Sequence, residues 1–88
     1  MATKGTISAC DTRLRIIDGV QQYATSCVVS YLPTGFELEG IYCPIDITET
    51  VSAKNNAIQQ FGMDIINAEV PGTIANKNEV ALQGGFVS

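Results

Sequence analysis

The chain has 88 residues, 45% of them apolar, 16% charged and none histidine, with a formal net charge of −4. That length supports one core rather than two, and the apolar fraction is too high for a disordered chain. Five basic residues against nine acidic ones leave no surface for tracking phosphates, so no nucleic-acid partner is expected.

No apolar run approaches the roughly 18 residues that span a bilayer, and no basic amphipathic helix is present, so no membrane partner is expected either. Charged residues average about 25% in globular domains; here Ser, Thr, Asn and Gln take their place. A small domain with so little surface charge must expose neutral polar groups or apolar patches, and a symmetric copy is the usual cover for patches. The expected partner is therefore a second copy of the chain, in a homo-oligomer. The opening residues, Met-Ala-Thr-Lys-Gly-Thr, contain no apolar signal core, which points to a cytoplasmic protein or, for an assembly subunit, to a place in a viral particle.

Residues 5–17 and 20–32 are rich in Thr, Val, Ile and Tyr and flank Asp18-Gly19. Two β-prone runs around an Asp-Gly pair predict a hairpin with a two-residue turn. Continued without interruption, that register places Ser8, Cys10, Thr12, Leu14 and Ile16 on one face, with Cys10 opposite Cys27 and Thr12 opposite Thr25. Asp11, Arg13 and Arg15 fall on the other face.

Leu32-Pro33-Thr34-Gly35 reads as a second turn, followed by a strand over about 36–46. Its apolar parity switches at Gly40, which predicts a β-bulge, and Pro44 assigns the strand end to a sheet edge. Glu37 and Glu39 form an exposed row that guards this edge. Apolar residues recur at helical spacing over 48–68, with Asp46 and Glu49, or Thr48, expected to cap the start. Gly62 in that helix marks close packing on the sheet. Beyond Pro71-Gly72, two short runs flank Asn76-Lys77-Asn78 as an expected hairpin. The predicted architecture is an α+β two-layer domain spanning 1–88. It comprises a three-stranded antiparallel meander, one helix packed on it, and one or two short C-terminal strands.

Without histidine, Ser/His/Asp and Cys/His nucleophile arrangements are excluded. Three cysteines with no Cys-x-x-Cys pair do not make a metal framework, so neither a metal nor a cofactor is expected. Cys10 and Cys27 read as core thiols, with a disulfide allowed by geometry alone.

Two groups are candidates for ligand binding. Arg13 and Arg15 share a face and suit a phosphate or carboxylate, although such a row is also the ordinary pattern of a solvated face. Tyr42, Cys43, Asp46 and Glu49 gather at the strand-to-helix junction, where a helix N-terminus would lower a thiol pKa and attract an anion. The plainer role for Asp46 and Glu49 is to cap the helix.

Finally, Gly84-Gly85 forms a joint in front of Phe86-Val87, so residues 84–88 read as an arm. Phe86 and Val87 either anchor on a neighbour or fold back on their own core. The leading expectation is a non-catalytic assembly subunit, of the kind that builds small viral particles or polymers. The alternative is a domain that binds a small anion or metabolite. A histidine-free enzyme using Cys43, Asp46 and Glu49 comes last.

Overall fold

Asp18 and Gly19 both take positive φ, 52° and 79°, and close a two-residue turn between β1 (Gly5–Ile17) and β2 (Val20–Tyr31). These elements belong to a computed structural model that describes residues 4–87. The expected register holds from Ile17 opposite Val20 to Arg13 opposite Ala24. There a bulge intervenes: Asp11, at φ 59°, and Thr12 together face Thr25. Aspartate enters the left-handed region more readily than most side chains, and the buried Thr25 hydroxyl donates to the Cys10 carbonyl at 3.0 Å across the bulge.

Below the bulge the ladder is shifted by one residue. Cys10 therefore faces Ser26, not Cys27, and Thr12 has no single partner in Thr25. Cys10 is exposed, Cys27 is buried, and all three cysteines are free thiols.

The third strand, β3 (Phe36–Pro44), pairs antiparallel with β2 and carries the bulge expected at Gly40, whose φ is 69°. Helix α1 (Val51–Glu69) begins later than its periodicity suggested. Thr50 is the cap, its hydroxyl accepting from the Ala53 N–H at 3.1 Å. Asp46 does not cap the helix; it closes a local turn onto the Thr48 N–H and hydroxyl. The helix lies on β1, β2 and the last strand, with Ile58 and Ile66 fully buried.

The expected C-terminal hairpin does not form. Asn67 bonds both the N–H and the carbonyl of Ile74, at 2.9 and 3.0 Å, so this backbone needs no strand partner. Asn76 and Glu79 build a capping box around the short turn Lys77–Glu79. The chain then enters β4 (Val80–Gln83), which runs parallel to β1 over Gly5–Ser8. The result is a mixed four-stranded sheet, ordered β3-β2-β1-β4, with one helix on one face. The α+β class and the antiparallel β1-β2-β3 meander are as expected; the parallel edge is not. The core between the layers includes Ile7, Cys27, Val29, Ile58, Ile66 and Val80.

Candidate functional site

The long hairpin outgrows the rest of the sheet. β4 reaches along β1 only to Ser8, and β3 reaches along β2 only to Ala24. Leu14–Ile17 and Val20–Tyr23 therefore pair with each other and project as a two-stranded ribbon, tied to the chain after β3 at its base by the Ile45 N–H donating to the Tyr23 carbonyl. Alternation along β2 from buried Val29 and Cys27 places Tyr23 on the helix-bearing face, and Leu14 stands opposite Tyr23. The apolar face of the sheet thus continues onto the ribbon, beyond the cover of the helix. Ile16 is 75% exposed and Leu14 48%, with Tyr23 also exposed.

The ribbon's opposite face carries the arginines. Arg15 folds down over the sheet: its Nε donates to the Ala24 carbonyl at 3.2 Å and its Nη2 to the Asp11 carbonyl at 2.6 Å. Its guanidinium carbon lies 4.5 Å from the Tyr42 ring centroid. Asp11 pairs with both cations, at 3.1 Å from Arg13 and 3.4 Å from Arg15. Glu37 and Glu39 occupy the same face of β3, at the opposite edge of the sheet, and both are exposed. Among the described residues neither has a cationic partner.

Of the six ligand-binding candidates, the structure brings together Arg13, Arg15 and Tyr42. Cys43, Asp46 and Glu49 stand apart from them and from one another's chemistry. Cys43 points into the core, and burial, helped by the neighbouring Cys27, pushes its thiol up to about 12. That is the reverse of an activated thiol. Cys27 is likewise raised by burial. Asp46 is held below the usual carboxylate range by the Thr48 hydroxyl and N–H. Glu49 is exposed, its N–H donating to the Asp46 carbonyl.

The C-terminal arm folds back on its own helix. Asn55 bonds the N–H and carbonyl of Phe86 at 2.8 and 3.0 Å, and Lys54 Nζ sits 4.3 Å from the Phe86 ring centroid. Val87 is exposed at the end of this contact. Between Phe86, Ile58 and the β1 bulge lies a cavity of about 80 Å³. Metabolite pockets typically run to roughly 300–1,000 Å³, so this space suits a few waters rather than a metabolite.

Among the described residues no cluster of three metal-ligating side chains occurs, and no helix is long and apolar enough to cross a membrane. The ribbon's apolar face was missed in the sequence because Leu14, Ile16 and Tyr23 fit the pattern of buried strand residues. Only the length of the hairpin relative to its neighbours reveals that nothing covers them. No family model, curated protein or solved structure matches the chain.

Proposed function

We propose that this chain is a non-catalytic assembly subunit that forms a homo-oligomer, the building block of a small particle or polymer. The observation carrying this reading is the uncovered apolar face of the β1–β2 ribbon, where Leu14, Ile16 and Tyr23 extend the core face into solvent. Exposed apolar surface of this kind on a small domain is ordinarily covered by another protein surface. The low charge of the chain supports the same reading, because like copies meet without strong repulsion.

The anion-binding reading has less support. Asp11 offsets one of the two positive charges, Arg15 is bound to the Ala24 carbonyl and turned onto Tyr42, which leaves Arg13 as the exposed cation, and the cavity beside the bulge is small.

Light scattering coupled to size exclusion tests the assembly reading, on the wild-type chain and on a Leu14→Lys/Ile16→Lys variant. The wild type is expected to elute as an oligomer, and the variant as a folded monomer. An oligomer unchanged by the two lysines would remove the ribbon from the interface.

A further inference from the structure

The two open edges of the sheet match each other. On β2, the Tyr23 carbonyl accepts from the Ile45 N–H at 2.9 Å, so odd-numbered residues of β2 bond towards β3 and even-numbered ones towards β1. Phe36 and Leu38 stand opposite Tyr31 and Val29, and so spend their backbone groups on β2. Glu37 and Glu39 turn theirs to the free edge. By the same phase, Arg13 and Arg15 bond back to β2 opposite Ala24 and Gln22, and Leu14 and Ile16 present their N–H and carbonyl groups to the open side of β1.

In a parallel ladder, a residue with outward groups sits opposite one with inward groups and bonds to the two residues flanking it. Leu14 against Leu38 satisfies this condition, with Glu37 and Glu39 as the bonding neighbours. The side chains then agree on both faces. Leu14 meets Leu38 on the helix-bearing face, while on the other the exposed Arg13 meets Glu37; Arg15 stands opposite Glu39 in register, with its side chain turned across its own sheet onto Tyr42.

We infer that subunits join head to tail, with the ribbon edge of β1 in one copy adding in parallel to the β3 edge of the next. This inference rests on the assembly reading and supplies its partner surface: residues 36–39 of a second copy of this chain. β1 and β3 run in the same direction within one sheet, because each is antiparallel to β2. Parallel addition therefore keeps every copy in one orientation, and β4, which ends beside Ser8, leaves the upper part of the β1 edge open. The contact is heterologous, so it closes into a ring or continues as a filament. Charge distinguishes it from a two-fold pairing of β1 with itself. That pairing would bring arginines together, and one Asp11 per chain cannot neutralise two cations.

The test uses two charge-reversed variants, Arg13→Glu and Glu37→Arg/Glu39→Arg, with thermal melts to establish that each is folded. Reversal puts like charges opposite one another, so each variant alone is expected to assemble at a concentration raised about tenfold or more. Mixed in equal amounts, they are expected to regain wild-type assembly, since the acidic β1 edge of one meets the basic β3 edge of the other. Restoration in the mixture also shows that neither variant lost assembly by unfolding. If the wild type assembles and Glu37→Arg/Glu39→Arg assembles equally well alone, the edge pairing is wrong while the assembly reading stands. The same conclusion follows if the mixture shows no recovery. A monomeric wild type would overturn both.

Discussion

Gly62 of α1 stands so close to Ile7 of β1 that a Cβ at that position would lie 3.2 Å from the Ile7 Cβ, and 3.2 Å from Val80 Cγ1 on the other side. Both neighbours are fully buried, and the Ile7 atom is fixed to its backbone, so neither can retreat easily. Gly62→Val is expected to lower stability by about 1–3 kcal/mol through overpacking. Gly62→Ala is expected to cost less, because the better helix former returns about 1 kcal/mol. Urea denaturation of the two variants checks both the sign and the order.

The pH dependence of stability has an acid limb and an alkaline limb with different owners. Glu79 accepts from the Ala75 and Asn76 N–H groups at 2.7 and 3.2 Å and pairs with Lys4 at 3.1 Å, which together hold its carboxyl below the usual range. A depressed carboxylate contributes stability above its unfolded pKa and loses it as pH falls through the folded value. Cys27 and Cys43 are raised, so their contribution is complete below the ordinary thiol value and fades as pH climbs past it. Melting temperatures are expected to fall on both sides of a neutral plateau. Glu79→Gln should flatten the acid limb only, and Cys43→Ala the alkaline limb only.

Thiol reactivity separates the three cysteines. Cys10 is exposed, whereas Cys27 and Cys43 are buried and have raised pKa values. Ellman titration near pH 8 is expected to find one fast thiol per native chain, absent in Cys10→Ser, and all three after denaturation.

The arm is held by Asn55, which satisfies both backbone groups of Phe86. Asn55→Ala is expected to cost about 1–2 kcal/mol by removing this partner from half-buried polar groups. A chain ending at Gly84 should lose a comparable amount, together with the contact between Lys54 and the Phe86 ring. Chemical denaturation with hydrogen exchange at residues 84–87 measures both changes.

Local turn chemistry was legible in the sequence wherever a special backbone position fell on glycine. The Asp18-Gly19 turn and the Gly40 bulge were both visible for that reason. The bulge at Asp11 was hidden because an aspartate fills the left-handed position. Its trace was a switch of apolar parity, from Ile7 and Ala9 to Leu14 and Ile16, that a mixed Thr, Ser and Cys face obscured. The parallel β4 edge depends on long-range pairing with Gly5–Ser8, and the local pattern around Asn76 resembles a hairpin equally well. Arg15 and Tyr42 meet as side chains only because β1 and β3 flank β2 at this level, a relation across three strands that spacing along the chain does not carry.

Sedimentation velocity of the unaltered chain over a concentration series from low to high micromolar tests the central claim most directly. A weight-average mass that rises above the monomer with concentration, and falls back when salt screens the edge charges, is the expected result. A single species of monomer mass across the whole series would contradict it.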